Sequence, residues 1–391
     1  MISLNRIVRI AAYELLSVLR DKKLLLIFFF SPLLFGILFG VAYSGKVLSN
    51  LPMVVLDQDN TPASRELVMD FDATDRFRFA ATANNYPQMQ EMIEDEQCML
   101  GLIIPHNYAR DLLRGKPVQV LTVYDTSNLI TAYNMKKSAA QVTLEVGGQI
   151  TANNLAANGF LTQEIKKTIT PLSLSTESRY NPTNNYLDFL YPGLMIIIVY
   201  QMSMLAASLS FTREMEDGSR LLLAAAPCSG IEITIGKASV YIMTAIIHYA
   251  ILLALACLVL GMPLKGSLGL LLVSSISAFV GAVAIGFIIS ALCKESLTPT
   301  RVVLVMSMPV FLASGFSWPF GSLPGWLETV MSTQPVTWAF MAARQIINRG
   351  DAPAVALHEA GAVMLLAAGA WIIFSVVYIF RKSWVGAGEI N

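Results

Sequence analysis

The chain has 391 residues and a formal net charge of zero, and 55% of its residues are hydrophobic while 14% are charged. Soluble globular domains carry about 25% charged residues, so this composition excludes an ordinary soluble protein. The four cysteines have spacings that predict neither a disulfide framework nor a zinc site, and we predict no metal site elsewhere. The neutral charge balance, with basic residues at the edges of apolar runs, excludes nucleic acid as a partner.

Six apolar runs are long enough to cross a hydrocarbon core of about 30 Å, which takes roughly 20 helical residues. None of these runs contains Asp, Glu, Lys or Arg. The runs are Leu24–Tyr43, Phe189–Phe211, Ala238–Met262, Leu268–Leu292, Val302–Phe320 and Ala360–Phe380. They predict a polytopic α-helical membrane protein with six transmembrane helices, the first over residues 24–43 and the other five within residues 187–380.

Basic residues predict the orientation, because short cytoplasmic loops carry an excess of Lys and Arg. With the N-terminus inside, twelve basic residues lie in the short inner segments: Arg6, Arg9, Arg20, Lys22, Lys23, Arg213, Arg220, Lys237, Lys294, Arg301, Arg381 and Lys382. The short outer loops hold four: Lys46, Lys265, Arg344 and Arg349. Both termini are therefore predicted to be cytoplasmic, with residues 381–391 as a tail.

Residues 1–23 predict a short cytoplasmic helix that lies in the membrane interface and leads into the first span. Apolar residues and one acid recur there at helical spacing beside Arg6 and Arg9: Ile7, Ile10, Ala11, Glu14, Leu15 and Val18. The first apolar run exceeds the h-region of a cleaved signal peptide, about 7–15 residues. We therefore expect it to be a retained signal anchor.

Residues 44–186 form the one large hydrophilic region. Its first part alternates segments typical of strands and helices. Strands are predicted over Met53–Asp57, Arg76–Thr82, Met99–Pro105 and Val118–Asp125, and helices over Thr61–Phe71, Tyr86–Glu96 and Asn107–Gly115. Residues 129–168 favour long helices that return to the membrane. This order predicts an inserted α+β extracytoplasmic domain between the first and second spans.

Two further segments connect the later spans. Residues 211–237 are predicted to lie on the cytoplasmic side between spans two and three, where we expect the charged first part, from Arg213 to Arg220, to offer contacts that face solvent. Gly218 is expected to break the helix before an apolar stripe formed by Leu221, Leu222 and Leu223. A polar collar that anchors span two at the headgroups is the alternative. Residues 321–350 carry two apolar stripes separated by Pro335, which predicts two interfacial helices, or a re-entrant pair of helices, on the outer side.

Ion-coupled transport is the first alternative function. Such carriers bury charged side chains near the bilayer midplane. In the six runs, His248 is the one titratable candidate besides cysteine and tyrosine. His248 is a candidate pathway residue, but we favour a neutral histidine bonded to a neighbouring helix.

The motifs predict no ATP site and no catalytic residues in this chain. Residues 230–239 resemble a phosphate loop, yet five residues separate Gly230 from Gly236, and Ala238 replaces the hydroxyl that would reach magnesium. No G-x-S-x-G elbow is present, and the three histidines lack metal-ligand spacing. A docking or sensing membrane protein without transport activity is the alternative function. A sensor is disfavoured because the predicted tail holds no output domain.

The chain is similar, in five stretches over almost its whole length, to one known family. The stretches are Val54–Leu67, Gly101–Asn128, Phe189–Ile198, Phe211–Lys237 and Leu323–Gly350. In this order and on the expected sides, they resemble the ABC type 2 export permeases with a large outer domain between spans one and two. The fourth stretch matches the cytoplasmic pattern RE…G…P…E…GK of that family through Arg213, Glu214, Gly218, Pro227, Glu232, Gly236 and Lys237. It departs from the family at Ser219, Arg220 and Leu221, where Thr-Leu-Glu is common, and at Ala226, where Ser or Thr is common.

The resemblance implies a half-transporter in the inner membrane of a bacterial cell. Two permeases, identical or related, pair with each other and with a dimer of cytoplasmic ABC ATPase subunits, which hold the ATP and Mg²⁺. The permease itself carries no cofactor. It moves an amphipathic or hydrophobic substrate, such as a drug or a lipid, outward. Some relatives also use a periplasmic adaptor and an outer-membrane channel, and the outer domain is compatible with that arrangement.

Two sets of residues are the candidate functional residues. The first is the predicted ATPase-coupling segment, with Arg213, Glu214, Glu216, Gly218, Pro227, Glu232, Gly236 and Lys237. The second is a possible pathway or dimer face, with Gly36, Gly40, His248, Met306, Met308 and Pro309. Gly36 and Gly40 lie one helical turn apart and favour a close helix contact. Met306 and Met308 are adaptable and Pro309 can kink a helix, which suits a gate; plain packing explains them equally well.

Overall fold

The computed structural model describes residues 3–43, 50–124 without 75, 96, 115 and 117, 129–157, 186–219, 226–293, 295–350 and 353–388. The chain divides into two compact units. One comprises Met1–Lys46 and Ser178–Asn391, and the other comprises Val47–Glu177. They are named here the helical unit and the sheet unit.

Helices dominate both units and are numbered in chain order. The first six are α1 (Leu4–Arg20), α2 (Lys22–Leu25, a π-helical stretch Leu26–Phe30 and Ser31–Ala42), α3 (Pro62–Asp72), α4 (Tyr86–Glu94), α5 (Tyr108–Leu113) and α6 (Leu129–Ala157). The others are α7 (Tyr186–Glu216), α8 (Gly230–Ala254 and a π-helical stretch Leu255–Val259), α9 (Leu268–Leu292), α10 (Leu297–Ala313), α11 (Gly325–Ser332), α12 (Pro335–Ala343 and a π-helical stretch Arg344–Arg349) and α13 (Pro353–Gly388).

Within the described residues, four helices are long and apolar enough to cross a membrane. They cover Leu187–Glu216, Gly230–Val259, Leu268–Leu292 and Ala356–Ile379, and the apolar helices Leu26–Ala42 and Leu297–Ala313 are shorter. The predicted fifth run, Val302–Phe320, is wrong at its C-terminal end, because α10 stops at Ala313. The chain turns there through Gly315, whose φ of 82° suits a residue without a Cβ.

Helix α7 lies at the centre of the helical unit. In its most apolar window 78% of the residues are buried, against 22% in the corresponding window of α13. Helix α9 packs against both α7 and α13. Where the three helices meet, the ring centroid of Phe287 lies 5.0 Å from that of Phe211 and 5.4 Å from that of Phe374. Aromatic rings at these separations attract each other in addition to their burial.

The sheet unit contains a four-stranded sheet in the order β2-β1-β3-β4. Its strands are β1 (Leu51–Asp57), β2 (Phe77–Thr82), β3 (Leu100–Ile104) and β4 (Leu121–Tyr124). Strand β1 is parallel to β2 and to β3, whereas β4 is antiparallel to β3. Each strand overlaps a segment in which the sequence predicts one. Parallel strands need crossover connections, and here α3 follows β1 and α4 follows β2.

Both faces of this sheet are covered. Met53 and Val55 of β1 pack in a cluster with α3, α5 and α6, whereas Val54 and Leu56 pack on the other face with Met89 of α4. This alternation follows from the two-residue period of a strand. Helix α6 contributes an apolar stripe at helical spacing: Met135, Ala139, Val142 and Val146. The predicted helical return over residues 129–168 is described up to Ala157, and the rest lies outside the described residues.

The segment 321–350 forms two helices, α11 and α12. Pro335 is the first residue of α12, where its missing N–H costs no hydrogen bond. The indole N–H of Trp338 donates to the carbonyl oxygen of Ser332 at 2.8 Å, which ties α12 to the end of α11. Helix α13 continues to Gly388, so it extends beyond the predicted end of the last span into the predicted tail.

Candidate functional site

The candidate coupling segment consists of two helix ends and the chain that joins them. Helix α7 ends at Glu216 and is followed by Gly218, which has a φ of 71°. A side chain would strain this left-handed conformation, and the expected break at Gly218 is therefore present. Helix α8 begins at Gly230. The apolar stripe expected at residues 221–223 lies outside the described residues.

The carboxylate of Glu232 connects the start of α8 to the start of α1. Its Oε2 accepts from the backbone N–H of Ser229 at 2.7 Å, while Ser229 Oγ accepts from the N–H of Glu232 at 3.2 Å. This reciprocal pair is a capping box. Oε1 of Glu232 accepts from the N–H of Ser3 at 2.7 Å, and the guanidinium of Arg6 lies 3.7 Å from Oε2. The side chain of Glu232 is 1% exposed.

Lys237 lies one turn further along α8, with its side chain 1% exposed. Its Nζ lies 3.1 Å from Oε2 of Glu14 and 2.5 Å from Oε1 of Glu214. The same ammonium group donates to Oγ of Ser210 at 2.9 Å and lies 5.0 Å from the ring centroid of Phe211. A buried lysine needs such partners, because an unpaired charge away from water is costly.

Glu14 of α1 is the second centre of this cluster, with its side chain 4% exposed. Its Oε1 accepts from Ser210 Oγ at 3.0 Å and from the hydroxyl of Tyr241, and the guanidinium of Arg213 lies 3.7 Å away. Burial by itself raises the pKa of this carboxyl, but Lys237, Tyr241 and Arg213 lower it further than burial raises it. The pKa of Glu14 is therefore below its usual value, and the group is ionised at neutral pH.

The cluster of Glu14, Glu214, Lys237, Arg213, Ser210 and Tyr241 is named here the charge cluster. It joins α1, α7 and α8. Its two carboxylates balance its two cations, so these helices bury no net charge there. Removing one member of such a set typically costs about 3–5 kcal/mol, since an uncompensated charge remains.

Glu216 joins the same segment to α10. Its Oε1 accepts from the backbone N–H of Ser296 at 2.7 Å and its Oε2 from Ser296 Oγ at 2.5 Å. Ser296 immediately precedes α10, whose first backbone N–H groups have no partner within the helix. A carboxylate near a helix N-terminus also interacts favourably with the helix dipole. The last residue of α7 thus caps α10 from a neighbouring helix.

The expectation that the charged first part of the segment faces solvent is wrong for Glu214, and two charged residues of α8, Glu232 and Lys237, are buried as well. Glu214, Glu232 and Lys237 are 9%, 1% and 1% exposed, because they bind partners on α1, α7 and α8. Gly236 is buried too, under Ile10 of α1. Arg213 is half-buried beside Glu14, and Glu216, Gly218 and Pro227 are exposed. The exposed surface of the segment is therefore the turn after Glu216 and the approach to α8.

Gly36 and Gly40 of the second predicted set are buried inside the chain. A Cβ at Gly36 would overlap the side chain of Leu252 of α8, and one at Gly40 would lie 2.8 Å from Cδ1 of Leu260 and 3.2 Å from the ring of Tyr191. They therefore permit α2 to approach α8 and α7. The other members of this set lie on α8, for His248, and on α10, for Met306, Met308 and Pro309.

His248 is buried on α8 beside α2. Its ring hydrogen-bonds to the backbone of Phe29 and meets the Phe29 ring edge-on at 5.9 Å. With Tyr241 it borders a cavity of about 20 Å³, which is room for one water molecule. Met306 and Met308 are 46% and 65% exposed on α10, and Pro309 lies inside that helix. The structure does not bring the methionines and His248 into one site.

Glu14, Ser210, Tyr241 and Ser296 were missed as site residues. A signal exists for Glu14, since it lies between Ile10 and Val18 at four-residue spacing on the one buried face of α1. A lone acid on such a face predicts a buried partner. Ser210 lies one turn from Glu214, and Tyr241 lies one turn from Lys237, which places each hydroxyl beside a charge on the same helix face.

The long apolar helices and the buried charges at their ends define a polytopic membrane protein. Residues 22–380 match the family described as ABC-2 family transporter protein. Because this match covers most of the 391 residues, the chain belongs to that family. It is a multi-pass membrane permease of the ABC transporter class, and a cytoplasmic ATPase partner and dimerisation are characteristic of this family.

Three similar proteins are named as transporters. The chain is 27% identical over 375 residues to "ABC transporter G family member 20" of Dictyostelium discoideum, with 94% of this chain and 49% of that protein covered. It is 27% identical over 328 residues to "Probable multidrug ABC transporter permease YbhR" of Escherichia coli K12, with coverage of 83% and 84%. It is 23% identical over 351 residues to "Inner membrane transport permease YhhJ" of Escherichia coli K12, with coverage of 89% and 90%. The chain therefore spans about half the length of the Dictyostelium protein and most of the length of the bacterial ones.

Proposed function

We propose that this chain is the six-span permease half of an ATP-driven exporter, with both termini and the coupling segment on the cytoplasmic side. The family membership supports the permease role. The observation that carries the coupling role is the bonding of the coupling segment: its two helix ends, on α7 and α8, are bonded to each other through Glu214, to the start of α1 through Glu232 and to the start of α10 through Glu216. A force applied to its exposed turn would reach four helices through short polar contacts.

The proposed assembly contains two permeases, identical or related, and two separate ATPase subunits that bind ATP and Mg²⁺. In this arrangement the sheet unit is extracytoplasmic, and helices α11 and α12 lie at the outer interface. The shorter helices α2 and α10 are then the first and fifth spans. A periplasmic adaptor and an outer-membrane channel are further candidate partners of the sheet unit.

The proposed substrate is amphipathic or hydrophobic. Two observations support this class. The permease YbhR carries "multidrug" in its name, and α10 presents the exposed side chains of Met306 and Met308. Methionine side chains are flexible and polarisable, so they adapt to apolar molecules of different shapes.

The exposed turn of the coupling segment is the proposed ATPase contact, and it can be tested without disturbing the charge cluster. Asp217 is exposed and follows α7 directly. Asp217→Arg, combined with Pro227→Glu, is expected to lower the amount of ATPase that co-purifies with the permease. Charges at the rim of an interface mainly change association. Insertion and abundance are expected to stay near the wild-type level.

Asp95→Arg is the matched control, because Asp95 is an exposed acid of the sheet unit. It is expected to leave the co-purified ATPase unchanged. If the coupling-segment variant recovers as much ATPase as this control, the turn is not the contact and the polar-collar alternative gains support. If wild-type permease recovers no ATPase at all, the proposed assembly itself is wrong.

A further inference from the structure

Helix α1 contacts the rest of the helical unit through one narrow face. Its buried residues, Ile10, Glu14 and Val18, are spaced by four positions, and the rest of the helix is partly or fully exposed. Ile10 packs on Gly236 of α8, where a Cβ would lie 2.8 Å from Cγ2 of Ile10 and 3.0 Å from the carbonyl oxygen of Ile7. The glycine in the family pattern therefore lets α1 lie directly on α8.

Apolar contacts alone would leave the register of α1 loosely specified, because hydrophobic attraction is not directional. Glu14 forms directional bonds that fix the register of α1. One of its oxygens pairs with Lys237 of α8, and the other accepts from Tyr241 of α8 and Ser210 of α7. Hydrogen bonds from two helices thus converge on one carboxylate of a third.

The partners of Glu14 lie immediately beside the coupling segment. Ser210 and Arg213 are in the last two turns of α7, and Lys237 is in the second turn of α8. Glu14 and Glu214 share the ammonium of Lys237, so the position of α1 depends on the same lysine that joins the two ends of the segment. The second link, from Glu232 to Ser3 and Arg6, lies at the other end of α1.

We propose that Glu14 is a positioning residue for coupling: it locks α1 to the ends of α7 and α8, so that the N-terminal helix moves as one body with the ATPase-driven segment. The proposal rests on the proposed coupling function. It adds α1, which the sequence predicted only as an interfacial helix, to the part of the permease that moves with the coupling segment. In this mechanism Glu14 contacts neither substrate nor ATP and acts through Lys237.

The test uses the full permease together with its co-purifying ATPase in lipid nanodiscs. Spin labels are attached at two exposed positions, Leu16 of α1 and Ser239 of α8, on a background without native cysteines. The distance distribution is expected to be narrow and to stay the same with and without trapped nucleotide. Because this measurement leaves every residue of the charge cluster unchanged, it does not depend on a variant that could fail to fold. A distance that changes with nucleotide would overturn the proposal, because α1 would then move separately from α8.

Glu14→Gln is expected to broaden this distribution and to lower ATP turnover of the complex by about tenfold, a size common for coupling between two sites. Glu14→Asp keeps the charge and is expected to restore most of the turnover. Arg9→Gln is the control, since it removes a charge from the exposed side of α1. Recovery of the ATPase is measured in the same samples. If the wild-type permease recovers no ATPase, the coupling function is refuted. If the Glu14→Gln variant recovers the ATPase and has the spin-label distances and ATP turnover of the wild type, the role of Glu14 is refuted.

Discussion

The two ends of α7 are held to their neighbours by different kinds of contact. At the Glu216 end, the charge cluster joins α7 to α1 and α8 through ion pairs and hydrogen bonds with fixed partners. At the Tyr186 end, Phe189 stacks on Phe316 at 6.0 Å between ring centroids. The guanidinium of Arg344 lies 5.8 Å from the first ring and 5.3 Å from the second.

This difference separates a directional joint from an adaptable one. Breaking a buried ion pair is strongly destabilising, because the remaining charge is left buried without a counter-charge. A cation above aromatic faces keeps much of its attraction when the rings slide, because the interaction depends on a diffuse quadrupole. We therefore expect the Glu216 end to transmit displacement and the Tyr186 end to accommodate it.

The largest expected effect comes from breaking the charge cluster at the Glu216 end of α7. Lys237→Met leaves Glu14 and Glu214 buried without their shared cation. The free energy of unfolding is expected to fall by about 3–5 kcal/mol. Thermal unfolding of the purified protein in detergent measures this loss. Lys136→Met, on an exposed position of α6, is the control and is expected to change stability by about 0.5 kcal/mol or less. Equal stability of the two variants would show that the cluster does not hold this end.

A smaller loss is expected at the adaptable end. Arg344→Met removes the cation above both rings and the hydrogen bond that Arg344 donates to the carbonyl oxygen of Phe316 at 2.6 Å. The expected cost is about 1–3 kcal/mol, measured in the same unfolding assay. Arg301→Met, on an exposed position of α10, serves as the control. A loss as large as that of Lys237→Met would remove the contrast between the two ends.

A local effect is expected where α7 caps α10. Glu216→Ala removes the acceptor for the backbone N–H and hydroxyl of Ser296, and loss of a cap typically costs about 1 kcal/mol. Hydrogen exchange of the amides at residues 301–303, the first that can bond to carbonyl groups within α10, is expected to accelerate while the core of α7 stays protected. Asp217→Ala changes the neighbouring exposed acid and is the control. Equal acceleration in both variants would mean that Glu216 is not the cap.

The smallest expected effect is the change of stability with pH near neutrality, which depends on the ionisation of Glu14. Its pKa is lowered in the folded protein, so its contribution to stability is complete above the unfolded value of about 4.3 and is lost as pH falls through the folded value. The difference in unfolding temperature between wild type and Glu14→Gln is therefore expected to be constant from about pH 6 to 8 and to shrink in acid. A difference that already shrinks between pH 8 and pH 6 would contradict the lowered pKa.

Several elements could be predicted because their signal is local. The fourth apolar run, Leu268–Leu292, coincides with α9, and Pro335 separates α11 from α12 where the sequence places the break. The strand segments are recognisable from their β-branched and apolar residues. The end of the fifth run was misjudged because Ser314, Gly315 and Ser317 carry no charge that would end an uncharged run, whereas the helix ends at Ala313, just before Gly315 with its positive φ.

Partners across the chain had no local signal. The residues of the RE…G…P…E…GK pattern are visible in the sequence, but the burial of Glu232, Gly236 and Lys237 depends on α1, which is more than 200 residues away along the chain. Glu14 meets Ser210 and Tyr241 at separations of 196 and 227 residues. Charged residues between two apolar runs normally face water, and here a third helix excludes the water.

The sequence by itself determined the membrane-embedded class, the apolar runs, the alternation of strands and helices in the sheet unit, and the helix break at Gly218. These features depend on composition, periodicity and backbone preference, which act over a few residues. The tertiary structure decided that Gly36 and Gly40 face α8 and α7, that Glu216 caps α10, and that Glu14 balances Lys237. Such pairings join residues far apart in the chain, and they form because a buried charge or an unpaired helix end requires a partner wherever the fold provides one.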